Sequence, residues 1–199
     1  MAISTYAELQ TAMGTWLDRT LTNVTDHIAL FEAQVNRRLM LRPQTTGASI
    51  TMSGGAGTLP TDYLEWKRVR WSGTPTRELD YVSPSFLSTV NASASQADPV
   101  YFTIEGSTLK VGPLSDTSVA LLYSQKVPAL TVSATTNWLL TSHPDAYLFG
   151  SLTMVATQTG DAENGRAWNA LTQNILGELW GLDFMQRGTM QQRTLGPTP

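Results

Sequence analysis

The chain has 199 residues, enough for one domain or for one domain with a sizeable insertion, and 41% hydrophobic content supports a real core. It has no cysteine, which excludes disulfides, Cys-based zinc sites and thiol catalysis within it and fits a reducing compartment. Charged residues make up only 15%, against about 25% in a typical soluble domain, and the net charge of −3 shows none of the basic excess of a high-affinity DNA binder. No apolar run approaches the roughly 20 residues of a membrane span. The start, Met1-Ala2-Ile3-Ser4, has neither the basic nor the apolar region of a signal peptide.

The ends read as helical. Thr5-x-x-Glu8 is a capping box, followed by Leu9, Met13, Trp16 and Leu17 at helical spacing, with an end near Thr20. A second helix starts around Thr25 and carries Ile28, Phe31, Val35 and Leu39 on one face. Arg37, Arg38 and Arg42 crowd its C-terminal end, where cations favour the helix dipole, and Pro43 stops it. From about Thr45 to Val127 the period changes to that of strands. These are expected near Ala48–Met52, Glu65–Trp71, Arg77–Tyr81, Val100–Glu105, Thr108–Val111 and Val119–Gln125, with a hairpin turn at Glu105-Gly106-Ser107. Ser83-Pro84 caps a short helix through Val90, and Asn91–Asp98 is a polar loop. Helix returns near Ser142, where Ser142-x-x-Asp145 resembles a capping box and Pro144 sits just inside the start. Gly160 ends that helix. Asp161 caps the next, whose stripe of Trp168, Leu171, Ile175, Leu179 and Leu182 runs to Gly188. The polar tail Thr189–Pro199 is expected to be mobile in the isolated protein.

The resulting fold class is α+β. N-terminal helices (1–44) and C-terminal helices (131–188) form one bundle around a central β-rich insertion (45–130), a small barrel or sandwich, with an extended tail at 189–199.

Candidate chemistry is sparse. Ser53-Gly54-Gly55-Ala56-Gly57-Thr58 is followed by Leu59-Pro60 and strands rather than by a helix, so it reads as a flexible turn and not a phosphate cradle. No Gly-x-Ser-x-Gly elbow occurs. His143 and Asp145 could be assembled with a serine only on paper, and His143 before Pro144 suits a capping or surface role. His27, one step off its stripe, reads as exposed or partly packed. Asp62 and Glu65 read as a loop acid and a solvated strand acid. Lys67, Arg68 and Arg70 flank Trp66, Val69 and Trp71. That alternation suits single-stranded nucleic acid, and more simply a half-exposed strand or a protein contact. No catalytic, metal or cofactor-binding residue is expected, and no cofactor.

One ordered set of blocks is more specific. Leu59-Pro60-Thr61-Asp62-Tyr63-Leu64-Glu65 comes first. Pro99-Val100-Tyr101-Phe102-Thr103-Ile104-Glu105-Gly106 and Leu109-Lys110-Val111-Gly112-Pro113 follow. Then come Val127-Pro128-Ala129-Leu130, Asn137-Trp138-Leu139-Leu140 and His143-Pro144-Asp145-Ala146-Tyr147-Leu148-Phe149-Gly150-Ser151-Leu152. In order and spacing, over about Leu59 to Leu152, they resemble bacteriophage head-to-tail adaptor (connector) proteins, the tail-adaptor or gatekeeper family of short-tailed phages. The residues also have a local reading: Asn137–Leu140 brings apolar bulk to the sheet–bundle junction, and Tyr147 and Phe149 point to different sides of one helix.

The resemblance implies a structural virion protein made in the host bacterial cytoplasm. It implies a ring of twelve copies between portal protein and tail, with DNA only in transit through the lumen and no membrane. Its partners would be the portal, a tail tube, nozzle or tail-completion protein, and further copies of itself. The C-terminal segment would dock on the portal through Gln186, Arg187, Gln191, Gln192 and Arg193. A neutral or acidic lumen is expected, with most arginines on protein interfaces, because each cation facing DNA would add phosphate affinity. The alternatives are another tail-completion or glycan-binding virion protein and, far behind, a cell-wall hydrolase.

Overall fold

The computed structural model describes residues 3–18, 21, 23–38, 42–93 and 96–186. Leu39, Gly188 and the tail Thr189–Pro199 lie outside the described residues. The chain divides into two compact units, Met1–Leu41 with Val127–Pro199, and Arg42–Lys126.

The first unit is helical. Helix α1 (Tyr6–Leu17) starts at the expected capping box: Glu8 N–H donates to Thr5 Oγ1 at 3.3 Å, and Thr5 N–H donates to the Glu8 carboxylate at 2.9 Å. It ends at Asp18 in the left-handed region, φ 47°. Helix α2 (Val24–Arg38) buries Ile28, Phe31 and Val35 as expected. It also buries His27 and Glu32, so its covered face is wider than the apolar stripe.

In the second unit a single 3-10 turn, Arg42–Gln44, leads into the first strand. Strands β1 (Thr45–Ile50), β2 (Ala56–Thr58), β3 (Tyr63–Trp71), β4 (Arg77–Glu78) and β5 (Asp80–Tyr81) precede helix α3 (Pro84–Ser93). Strands β6 (Tyr101–Glu105), β7 (Thr108–Gly112) and β8 (Val119–Gln125) follow. They form two four-stranded sheets, in the orders β1-β8-β3-β4 and β2-β7-β6-β5. Inward residues of both sheets, Ile50, Val69, Trp71, Val119 and Leu121 from one and Phe102, Leu109 and Val111 from the other, share one core. The sandwich expectation therefore holds, and there is no closed barrel.

Four expectations for this unit change. The strand foreseen at Arg77–Tyr81 splits at buried Leu79, so that β4 joins one sheet and β5 the other. Strand β1 starts at Thr45 rather than Ala48, because β8 pairs with it from Ser124 to Val119. The glycine run is not a loose turn throughout. Gly54 and Gly55, at φ 58° and 75°, make a tight reversal, and Ala56-Gly57-Thr58 then pairs with β7. Helix α3 extends to Ser93, into the stretch foreseen as a loop.

The chain re-enters the helical unit at Val127. Helix α4 (Trp138–Ser142) is capped by Asn137, whose Oδ1 accepts from Leu140 N–H at 2.9 Å. The block read as apolar bulk, with the helix start placed at Ser142, is itself a helix start. Helix α5 (Pro144–Thr159) follows, and α6 (Ala162–Gln186) closes the described chain. Ser142 does not cap α5: it belongs to the last turn of α4, and His143 takes the cap position without a side-chain bond. Gly160, at φ 73°, turns the chain, and Asp161 Oδ1 accepts from Asn164 N–H at 3.2 Å to start α6.

Helix α5 is the centre of this unit. It packs on α1, α2, α4 and α6, and buries residues on every side, including Ala146, Tyr147, Leu148, Leu152 and Val155. Gly150 lets α2 approach: a Cβ there would collide with the Phe31 ring. The stripe foreseen on α6 is rotated. Trp168, Thr172, Leu176, Leu179 and Asp183 are buried, while Leu171 and Leu182 face outward. At 100° per residue those two leucines fall on the same side of the buried strip, next to Trp168. Thr172 tolerates burial because its hydroxyl donates back to the Trp168 carbonyl at 2.8 Å.

Polar groups lace the returning segment to α2. Asn36 Oδ1 accepts from Val127 N–H at 2.7 Å, and one turn earlier Glu32 Oε1 accepts from Leu130 N–H at 2.9 Å. The Tyr147 hydroxyl donates to the same Glu32 oxygen at 3.1 Å and accepts from Asn137 Nδ2 at 2.6 Å. Asn137 Nδ2 also donates to the Pro128 carbonyl at 2.7 Å. Burial holds the Glu32 carboxyl above its ordinary value of 4.5 despite these two donors, and burial beside Glu32 raises the Tyr147 phenol.

Two predictions follow from this packing. Gly150→Ala forces Phe31 off its seat and costs about 1–3 kcal/mol, read as a lower midpoint in urea unfolding. For Glu32, the ionised form is the one penalised by burial. Its contribution to stability is full below 4.5 and is lost as pH rises through the higher folded value. Glu32→Gln keeps an acceptor without the charge. Its Tm should exceed that of the native protein at pH 8 and converge with it near pH 4, and a lower Tm for the variant at pH 8 would contradict this.

Candidate functional site

The residues that chemistry would need are occupied structurally. His27 is buried, contrary to the exposed or partly packed expectation. Its Nδ1 donates to the Asn23 carbonyl at 2.8 Å, and its Nε2 meets the Gln158 side-chain amide at 2.6 Å. His143 is half-buried at the start of α5, and Asp145 Oδ1 accepts from the N–H of its neighbour Ala146 at 3.0 Å. No serine joins them into a relay among the described residues. Asp62 accepts from the Tyr123 hydroxyl at 3.0 Å, while Glu65 pairs with Lys67 at 2.6 Å. Burial, with Asp62 as acceptor and charge, pushes the Tyr123 phenol up to about 12. Gly54 N–H in the glycine turn donates to Asp116 Oδ1 at 2.6 Å, so a carboxylate stands where a phosphate would have to sit. Among the described residues no group of three His, Asp or Glu could hold a metal ion, and no helix is long and apolar enough to cross a membrane.

The basic–aromatic strand is not a regular alternation. Register shifts between Tyr63 and Glu65 and between Trp66 and Arg68 leave Trp66, Lys67 and Arg68 all exposed in succession. Trp66 stacks on exposed Tyr81, with ring centroids 5.9 Å apart and planes at 13°, and meets buried Phe102 edge-on at 5.2 Å. Val69 and Trp71 turn into the core, where Trp71 Nε1 donates to Thr117 Oγ1 at 2.6 Å. Arg77 lies over the Trp71 ring at 4.9 Å and pairs with Asp98 at 3.0 Å.

What stands out instead is uncovered apolar surface. In the helical unit Trp16, Leu30, Trp180 and Leu182 are each more than half exposed, and Leu171 nearly so. Trp16 packs edge-on against Phe149 at 5.4 Å, whereas Tyr147 is wholly buried, so the two α5 aromatics do point to different sides. A helix of 25 residues spans about 37 Å and one of 16 about 24 Å, so α6 outruns α5, its main packing partner. Apolar side chains left open on a folded unit mark surfaces that other proteins cover. Sequence periodicity assigned Leu171 and Leu182 to the core and passed over Trp180. The available signal for Trp180 was its position on the other side of the stripe, where a tryptophan has no core to enter.

Of the residues expected at the portal contact, Gln186 is the last of α6. Arg187, Gln191, Gln192 and Arg193 lie outside the described residues.

Comparison with curated proteins gives no match. A family model matches residues 4–198, nearly the whole chain. The chain belongs to the SU10 adaptor protein family, structural adaptors of phage rather than enzymes.

Proposed function

We propose that this protein is a head–tail adaptor that assembles as a ring, twelve copies beneath the portal of a short-tailed phage, around a channel for DNA. The observation that carries the reading is the family match over residues 4–198. The open apolar residues of α1, α2 and α6 support it, since a monomer in water gains nothing from leaving Leu30 and Leu182 exposed. Low charge supports it as well: ring contacts bury surface, and few ionised groups need desolvation here. The portal-docking element is the end of α6 and the segment beyond it, with Gln186, Arg187, Gln191, Gln192 and Arg193 supplying hydrogen bonds. The tail side meets a tail tube, nozzle or completion protein, and the lumen is neutral or acidic so that DNA slides.

Light scattering of the protein alone and mixed with its cognate portal tests the stoichiometry. About twelve copies per portal ring is the expected result, and a monomer indifferent to the portal would sink the reading. Truncation after Gly188 should abolish portal binding and leave the far-UV circular dichroism intact. Unchanged binding would remove the tail from the contact.

A further inference from the structure

Native proteins blunt the open edges of their sheets with short strands, charges, proline or bulges, because a row of unpaired N–H and C=O groups is a template for another chain. Most edges of the strand unit follow that rule. Strand β2 has three residues, while β4 and β5 have two each and carry Arg77, Glu78 and Asp80. The part of β3 that runs beyond β4 has two register shifts and exposes Lys67 and Arg68. Strand β1 has none of these devices. It is the edge of its sheet, runs for six residues, and pairs with β8 at every one of them without a shift. Its sequence, Thr45-Thr46-Gly47-Ala48-Ser49-Ile50, holds no charge and no proline, and Thr45, Gly47 and Ser49 are exposed. In an antiparallel ladder alternate residues turn their backbone groups away from the partner, so β1 offers unpaired groups along its outer side.

Gly47 adds an independent observation. Glycine weakens a strand interior, and it is found there at a bulge, at a bend, or where another backbone or a ligand comes close. The register at Gly47 is unbroken, and its φ is outside the left-handed region. A Cβ at this position would meet only the Leu121 carbonyl oxygen, at 3.8 Å, an ordinary contact. Neither the backbone nor the packing among the described residues requires a glycine here, which leaves close approach from outside the chain.

We infer that β1 pairs antiparallel with β1 of a second copy of this chain, about a two-fold axis at Gly47. Such an axis stands perpendicular to the sheet, so the outer face of one copy continues the outer face of the other, and directly opposite residues share a face. With Gly47 opposite its counterpart, Thr45 of each copy stands opposite Ser49 of the other, and Thr46 opposite Ala48. Thr–Ser pairs across strands are favourable, and no like charges meet. The uncharged strand is therefore complementary to itself, and one contact covers the open edge of both copies. The contact is isologous and closes on two copies, so it does not propagate around a ring. It belongs to the chain before it meets the portal, and the inference is independent of the ring reading.

The test is native mass measurement on the full-length chain without portal, over a series of concentrations. Two copies are the expected result, and hydrogen exchange at the amides of Thr45–Ile50 should slow as the dimer fills. Gly47→Lys sets two cations face to face at the axis, and Ser49→Lys guards the edge. Each should raise the dimer dissociation constant about tenfold or more, while Ser49→Thr keeps it within about twofold. Circular dichroism on each variant checks that these exposed changes leave the fold intact. A chain that is monomeric at every concentration overturns the inference, and so does any assembly that both lysine variants leave intact. Slowed exchange in β1 that appears only on mixing with the portal overturns the second copy as the occupant and assigns the edge to the portal. The ring reading is decided separately, by the number of copies bound at the portal.

Discussion

The close approach of α2 to α5 is the constraint on which the helical unit depends. Phe31 fills the space that a side chain at position 150 would take, so its ring packs directly on the α5 backbone and joins two helices far apart in sequence. Local propensity cannot bring them together, because the whole strand unit lies between them in the chain. The apolar surface on all sides of α5 does. Helices α1, α2, α4 and α6 each cover part of it, and each large side chain so covered contributes roughly 1.5–3 kcal/mol before entropy.

Around that contact the unit places polar groups where the backbone needs them. A chain segment without regular structure, Val127 to Leu130, buries its two end residues, and their N–H groups must be satisfied. Asn36 and Glu32, one turn apart on α2, supply the acceptors. Tyr147 and Asn137 complete the network and join α5 and the start of α4 to it. Glu32 is a costly choice, because a buried carboxylate without a cation is penalised whenever it is ionised. An amide at that position would satisfy the same donors without the penalty.

The surfaces divide by chemistry. The helical unit leaves apolar side chains open on α1, α2 and α6, while the strand unit exposes the charged Arg68, Glu78 and Asp80. Apolar patches supply association energy without much direction. Charge pairs add direction and register, and they exclude wrong pairings.

Much of the fold was legible in the sequence. The capping box at Thr5 and Glu8, the Ile28–Phe31–Val35 face, the two-residue hairpin at Gly106, strand β8 and the αL glycine at 160 are local features. Their physics lies within a few residues, so periodicity and turn chemistry find them. The ordered blocks from Leu59 to Leu152 pointed to phage adaptors, and the family match extends over residues 4–198. Tertiary structure alone decided the rest. Leu79 splits one expected strand between two sheets because both sheets bury residues against it, and no local pattern encodes that choice. Leu171 and Leu182 match the α6 period but sit outward, because α5 covers only a strip of that helix. His27 and Glu32 are buried although they are polar, because partners far along the chain, Gln158, Leu130 and Tyr147, satisfy them. The sequence by itself determined where elements begin, end and turn. Which faces meet, and so which residues stay exposed, was set by packing between segments that are distant in the chain.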